Sequence, residues 1–380
     1  MDGYSLGNGQ FRYATDLMAA LAQIDFADKV TVFGTRPFPP ERISCLFQPA
    51  TNWVWVHKPF AHGRMADWSN QWRSFWFHRQ YKITILHIID STIPVLPPCP
   101  VVLTAYDLMP EIFAADYPKM LASRGYRRFR WLSRHRVTKF LAISHATAAD
   151  YHRLWKIPEN KIATVHLAVS GFPADGHHSD WPATLALRFP KIDGRRFLLA
   201  PYNLEPRKNL DAALVAFSLI HKYFPDLVFV LFGKAGWTIE RESLIQSKIE
   251  ALGIAEAVKL TGFIDDLSLA ALYRGAEIFI FPSLYEGFGL PVLEAMACGG
   301  CIVARDISAM VEVGADACRL VDTSDSIVLA ENIRSLLNNP DQQAILRSKA
   351  MARATAFTAS RMANETISVY RSVLSECLKT

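Results

Sequence analysis

The sequence predicts an α/β protein built from two doubly wound domains, and three observations carry that prediction. Short apolar runs alternate with amphipathic helical patterns along the whole chain, the signature of parallel sheets flanked by helices. A length of 380 residues exceeds one ordinary core and suits two. One segment, Ser170 to Arg195, breaks the alternation with Pro173, Pro182 and Pro190 and with His177-His178 before Ser179-Asp180. It reads as an interdomain linker. The expected organisation is a first domain over residues 1–170, a linker over 171–195, a second domain over 196–357, and a terminal helix over 358–380 that returns to the first domain.

In the first half the apolar runs place strands at Val30–Phe33, Trp53–Val56, Thr84–Ile89, Val101–Thr104, Lys139–Ile143 and Lys161–Val165. In the second half they place strands at Phe197–Ala200, Leu227–Phe232, Val258–Thr261, Ile278–Phe281 and Cys301–Ala304. Helical periodicity falls between them, as at Leu210–Tyr223 and Leu267–Arg274, and closes the chain from Ala359 to Leu378. One strand is missing from this pattern. A doubly wound domain opens on a strand that feeds its first glycine loop. Here Gly7-Asn8-Gly9 follows only six residues, too few for a strand and a turn. That strand normally lies mid-sheet, so its neighbours would be left with unpaired backbone groups. The expectation is a natural start upstream of Met1 or a truncated chain, and an intact mass of the endogenous protein equal to Met1–Thr380 would refute the upstream start.

Composition narrows the class. Hydrophobic residues make up 51% and charged residues 20%, as in a globular protein and unlike a disordered one. The net charge of +5 suits an anionic small ligand or an anionic membrane surface, and is too small and too spread out for a nucleic-acid partner. The six cysteines have no zinc-site spacing. Cys298-Gly299-Gly300-Cys301 reads as a helix end running into a buried strand rather than a redox pair, and the thiols fit a reduced, cytoplasmic protein. Met1-Asp2-Gly3 does not open a secretory leader. No apolar run approaches the roughly 20 residues that span a bilayer, so a membrane role would be peripheral, on the inner face.

Three segments carry chemistry, each at a strand end where α/β folds bind ligands. The first runs from Phe281 to Ala297. After the strand comes a glycine loop, then Pro291 at a position suited to a helix start. Backbone N–H groups near Gly289 and Leu290 favour an anion such as a diphosphate. Glu286 precedes the helix and Glu294 is placed in its first turn. A carboxylate offers only acceptors, which suits sugar or ribose hydroxyls. Taken singly, Glu294 is a dipole-complementing acid and Glu286 a solvated loop residue. Together, with Gly287, Gly289 and Pro291 between them, they point to a site. The second segment is Ala200-Pro201-Tyr202-Asn203-Leu204-Glu205-Pro206-Arg207-Lys208-Asn209-Leu210. Arg207 and Lys208 fall at a helix start, where a cation needs a partner that a diphosphate supplies. The third is Phe232-Gly233-Lys234-Ala235-Gly236-Trp237, whose glycines permit close backbone approach, although an ordinary tight turn explains them as well.

These segments resemble the retaining GT-B glycosyltransferases of the large family 4. Pro282–Ala297 is similar to that family's Glu-x7-Glu motif, and Arg207-Lys208-Asn209 to its phosphate-binding pair. Gly233-Lys234-Ala235-Gly236-Trp237 and Thr261-Gly262-Phe263-Ile264-Asp265-Asp266 resemble its nucleotide-side loops. Val101–Leu108, Ile143-Ser144-His145-Ala146-Thr147 and Lys161–Val169 resemble the first domain more loosely. The likeness spans nearly the whole chain and is nearest to mannosyltransferases of bacterial O-antigen or exopolysaccharide assembly.

The resemblance implies two Rossmann-like domains facing across a cleft, with the first strand of the N-terminal domain missing. It implies that Glu286 meets the donor sugar near the reacting carbon, that Glu294 holds the ribose, and that Arg207 and Lys208 neutralise the leaving diphosphate. Gly287, Phe288, Gly289 and Leu290 would shape the donor loop. Gly233 and Lys234 would lie on the nucleotide side, Phe263 and Ile264 would border the base, and Gly7 and Gly9 would approach the phosphates. Two departures stand out. Tyr106 replaces the family's histidine, and Gly299-Gly300-Cys301 replaces its Gly-Thr-Pro. Asp107 is the first-domain carboxylate placed to act as base or nucleophile, with helix N-cap as the alternative.

The implied reaction moves a hexose, mannose from GDP-mannose foremost, onto a glycan or lipid-linked acceptor with retention. Asp-x-Asp, the usual carboxylate grip on a phosphate-bridging metal, is absent, so metal-independent transfer without a cofactor is expected. The basic, aromatic stretch Arg124–Arg136 suits an anionic lipid surface or a solvated helix face equally. Two alternatives stay open: a transferase using a UDP- or dTDP-sugar, and a non-catalytic nucleotide-sugar-binding protein.

Overall fold

The computed structural model describes residues 9–24, 29–34, 44–46, 52–57, 76, 79–89, 93–169, 180–192, 194–234 and 238–377. They form two compact units, one from Met1–Ser170 with Phe357–Thr380 and one from Gly171–Ala356.

The first unit holds strands β1 (Val30–Gly34), β2 (Trp53–His57), β3 (Leu86–Ile88), β4 (Val101–Ala105), β5 (Lys139–Ala142) and β6 (Ile162–Thr164). All pairings are parallel, but they form two sheets, β1-β2 and β3-β4-β5-β6. Its helices are α1 (Gly9–Gln23), α2 (Met109–Ile112), α3 (Pro118–Ala122), α4 (Arg124–Arg136) and α5 (His145–Trp155). Every residue of β4 is buried, as expected of a parallel strand covered on both faces. The core gathers Leu103, Phe140, Tyr151 and Trp155. Helix α1 holds the two sheets to one body: Ala14 and Met18 pack with Val32 of β1, Trp53 of β2 and Ile89 beyond β3. The terminal helix, Ala359–Cys377, packs on α1. There Tyr370 Oη meets His87 Nδ1 at 2.6 Å, and His87 Nε2 meets Thr104 Oγ1 at 2.8 Å.

The second unit has helices α6 (Trp181–Arg188), α7 (Leu210–His221), α8 (Ile239–Ala251), α9 (Asp266–Gly275), α10 (Leu290–Ala297), α11 (Ser308–Gly314), α12 (Ser326–Leu337) and α13 (Pro340–Ala354). Its strands are β7 (Phe197–Pro201), β8 (Val228–Phe232), β9 (Val258–Gly262), β10 (Ile278–Phe281), β11 (Ile302–Arg305) and β12 (Arg319–Val321). They form one parallel sheet in the order β9-β8-β7-β10-β11-β12. The winding reverses between β7 and β10, where Leu198 pairs with Ile278 and Leu199 with Phe279. Beyond the carboxyl ends of such a pair lies the usual ligand crevice of an open α/β sheet.

In the second unit β7 lies between β8 and β10. In the first unit the described strands form two separate sheets, with no hydrogen-bonded strand joining β1-β2 to β3-β4-β5-β6 among the described residues.

The expected linker over 171–195 needs correction. It contains α6, which packs on α9 within the second unit. Pro182 is not a breaker: it occupies the start of α6, where its missing N–H costs no helical bond. Gly275 makes room for the contact, since a Cβ there would lie 2.7 Å from Leu185 Cδ1. Strand β12 was not foreseen. Arg319-Leu320-Val321 is short, begins with a charge and lies at the sheet edge, so it leaves no apolar run to read.

Candidate active site

The site forms at the switch point of the second unit. Strand β7 ends at Pro201, and the chain enters a 3₁₀ turn over Pro206–Lys208. Asn209 follows with φ 53°, a left-handed residue between the turn and α7. Asparagine tolerates that region better than most side chains, and its amide donates to Thr323 O at 2.8 Å. Strand β10 ends at Phe281, and the next loop closes at Gly289 with φ 100°. A Cβ at Gly289 would be strained by that backbone and would run into the Met310 side chain. Helix α10 then begins, with Pro291 in its first turn.

Backbone bonds fasten the two loops together. Leu284 N–H donates to Arg207 O at 2.7 Å, and Arg207 Nη1 donates to Tyr285 O at 3.2 Å. Thr323, fully buried just past β12, donates its hydroxyl to Pro282 O at 2.8 Å while its own carbonyl accepts from Asn209. One residue thus holds both loops from beneath.

Four charged side chains meet at these loops. Lys208 Nζ lies 2.6 Å from Glu286 Oε1, and Arg207 Nη1 lies 3.4 Å from Glu286 Oε2. Arg207 Nε also lies 2.8 Å from Glu205 Oε2. Arg207 is 9% and Glu286 8% exposed, so water screens these contacts weakly. Burial alone would raise the Glu286 carboxyl. Lys208 and Arg207 beside it, with hydrogen bonds from Lys208 and Ser283, hold it below its ordinary value instead. A cavity of about 130 Å³ opens here, lined by Pro201, Asn203, Lys208, Ser283 and Pro291 among others. A larger one, about 310 Å³, lies between α6 and α9 and is lined by none of the predicted site residues.

The sequence expectations fare unevenly. Arg207, Lys208 and Glu286 come together, but the cations sit on the turn before α7, not on the helix, and their partners are acids of the chain itself. Glu294 is the fifth residue of α10 and lies beyond its first turn, so it is not a dipole-complementing first-turn acid. It is 6% exposed and accepts a hydrogen bond from Tyr273 Oη at 3.3 Å. Gly287 and Phe288 are buried and Leu290 opens α10. Gly233, with φ 102°, donates its N–H to Gly262 O at 2.9 Å. Lys234 Nζ stands 5.7 Å over the ring of Phe263, which is exposed, while Ile264 is partly buried. Ala235, Gly236 and Trp237 lie outside the described residues, as does Gly7.

The remaining candidates belong to the first unit. Gly9 opens α1, and Tyr106 packs edge-on to Tyr13 with ring centroids 6.1 Å apart. Asp107 precedes Leu108, the N-cap of α2, so the capping alternative for Asp107 does not hold. Cys298 and Cys301 are buried, which pushes their thiols up to about 12 and about 11 and leaves them protonated and unreactive.

Sequence reasoning missed Glu205, Ser283, Tyr273 and Thr323. Glu205 and Ser283 lie inside quoted segments, and an acid two residues before an arginine was a usable signal. Tyr273 and Thr323 come from distant elements and leave no trace in the local pattern.

Solved structures share this architecture. The Anabaena protein HepE in complex with UDP-glucose superposes with a TM-score of 0.77 over 98% of each chain at 16% identity. WaaG, a glycosyltransferase involved in lipopolysaccharide biosynthesis, superposes with a TM-score of 0.71 over 96% of this chain and 97% of its own at 15% identity. The fold is GT-B. The chain belongs to the glycosyltransferases of group 1 and family 4: residues 187–353 match Glycosyl transferases group 1, and residues 7–170 match Glycosyltransferase Family 4. It is 29% identical over 242 residues to the O-antigen chain mannosyltransferase B of Escherichia coli, a match covering 61% of this chain and 60% of that relative. It is 35% identical over 140 residues to an MMP alpha-(1->4)-mannosyltransferase of Mycolicibacterium hassiacum, covering 36% of this chain and 34% of that one. The chain thus spans less than two thirds of these relatives.

Proposed function

We propose that this glycosyltransferase moves mannose from GDP-mannose to a glycan or lipid-linked saccharide, with retention and without a metal, in surface polysaccharide assembly on the cytoplasmic face of the inner membrane. The observation that carries the reading is the meeting of Arg207, Lys208 and Glu286 at the switch point. Mannose is supported by the names of the E. coli and Mycolicibacterium relatives.

The bond that breaks joins the anomeric carbon to the diphosphate. Negative charge gathers on the departing oxygen, and stabilising it is the main electrostatic task. Arg207 brings a two-pronged donor and Lys208 a point charge, which is the work a metal would otherwise do. Glu286 accepts from sugar hydroxyls and Glu294 from the ribose. Gly289 and Leu290 offer backbone donors, while Lys234, Phe263 and Ile264 border the base. The roles of Gly7, Gly9, Tyr106 and Asp107 rest on the resemblance alone. A second reading, a UDP-sugar donor, is favoured by the HepE complexes with UDP and UDP-glucose.

The test is a panel of GDP-, UDP- and dTDP-sugars screened by thermal shift and then by transfer. GDP-mannose is expected to give the largest stabilisation, and transfer to survive EDTA with an α-linked product by NMR. Binding without transfer or hydrolysis would favour the non-catalytic alternative. Activity lost to EDTA and restored by magnesium would overturn metal independence.

The proposal extends to a membrane surface. No described helix is long and apolar enough to cross a bilayer. Helix α4 turns Arg124, Arg127, Trp131, Arg134 and His135 outward, and Trp131 is 49% exposed. Arg130 is engaged elsewhere, 3.1 Å from Glu111. Each exposed arginine adds about 1 kcal/mol against an anionic leaflet. Sedimentation with phosphatidylserine vesicles is expected, and with phosphatidylcholine vesicles is not. Equal recovery with both, or unchanged recovery for the Arg127→Glu/Arg134→Glu variant, would remove the membrane contact.

A further inference from the structure

We infer that Glu286 is a specificity-determining residue that is withheld from sugars until a diphosphate takes over its cations. The inference rests on the donor site proposed above and deepens it.

Both carboxylate oxygens of Glu286 are occupied. Oε1 meets Lys208 at 2.6 Å and Oε2 meets Arg207 at 3.4 Å. The contacts are buried, so a neutral sugar hydroxyl must compete with charge-assisted bonds that water scarcely weakens. An unactivated sugar therefore finds the carboxylate taken.

A diphosphate changes the balance. Lys208 lines the cavity at the switch point, so an arriving anion meets its ammonium there. The two cations are matched by two acids, Glu205 and Glu286. Adding a diphosphate leaves an excess of buried negative charge unless one acid withdraws. The Glu205 carboxylate pairs with Arg207 at 2.8 Å, whereas the Lys208 ammonium pairs with Glu286. Glu286 is the acid whose place on Lys208 the phosphate oxygens would take. Once displaced, its oxygens need donors, and the hydroxyls of the attached sugar supply them. One exchange, anion for anion at Lys208 and hydroxyl for ammonium at Glu286, makes sugar recognition conditional on the diphosphate.

The distinguishing variant is Glu286→Gln, which keeps the shape and removes the competing charge. Titration calorimetry of the full chain with GDP and with UDP is the measurement. The preferred nucleotide is expected to bind roughly tenfold more tightly to Glu286→Gln than to the wild type. Glu286→Asp, which keeps the charge, should show no gain. In a Lys208→Met background, where only the Arg207 contact is left to exchange, adding Glu286→Gln should bring a smaller gain. Equal or weaker binding by a folded Glu286→Gln protein would overturn the inference, because a glutamate that merely supports its loop would not hold the nucleotide off. If the wild type binds GDP or UDP and the variant shows no gain, the donor site stands and only the exchange falls. If no nucleoside diphosphate binds either protein, the donor reading falls with it.

Discussion

Replacing Lys208 by methionine is expected to lower kcat by about 10²- to 10³-fold, the usual loss when a group aimed at developing charge is removed. Methionine keeps an apolar stem over the Phe281 ring, which Lys208 Nζ overlies at 5.7 Å, so packing is largely preserved. The ammonium is lost from both its tasks. The departing diphosphate has only Arg207 to meet it, and Glu286 loses its contact at 2.6 Å. Stranding one member of a buried pair costs roughly 3–5 kcal/mol, and the Arg207 contact that remains places this case at the lower end. The loss has a defined pH dependence. The Glu286 carboxyl is held below its ordinary value in the folded protein. Its stabilisation is therefore complete above the unfolded carboxyl range and disappears as pH falls through the folded value. Melting curves of the two proteins should differ most near neutrality and converge in acid. A stability gap unchanged at low pH, or a kcat within a factor of about two, would remove Lys208 from the role given to it.

Glu286→Ala is expected to cost more in turnover and nothing in nucleotide binding. A site built to hydrogen-bond a substrate hydroxyl loses on the order of 10³-fold or more when the partner is removed. The fold should survive, because Arg207 keeps Glu205 at 2.8 Å and Lys208 borders a cavity through which it can reach water. Nucleoside diphosphate should still stabilise the variant in a thermal shift, whereas transfer of the sugar should fall to background. Turnover within about tenfold of wild type would show that Glu286 does not touch the reacting sugar.

Much of this was legible in the sequence because of how parallel sheets bury their strands. Phe197–Ala200 and Ile278–Phe281 are covered on both faces and read as unbroken apolar runs. Their ends, and the loops that follow, could therefore be placed without coordinates. What the loops do to each other could not. Lys208 and Glu286 are 78 residues apart, and only the pairing of β7 with β10 brings them to one point. The cations looked as if they awaited a ligand, when the fold had already supplied an acid. The turn assigned to Glu294 was wrong by one residue: left-handed Gly289 caps α10 and starts it at Leu290 rather than Pro291. Thr323, which props both loops, follows the short edge strand that periodicity does not detect.

The division of the first unit into two sheets has a mechanical result. A lone pair of strands is marginal in water, and here the β1–β2 ribbon shares an apolar cluster with α1. That helix is in turn braced by the terminal helix. The ribbon, α1 and the terminal helix are therefore expected to open together. Loosening of the last helix would unfasten α1, and with it the ribbon that α1 supports, so a truncation of that helix should raise amide exchange in β1 and β2.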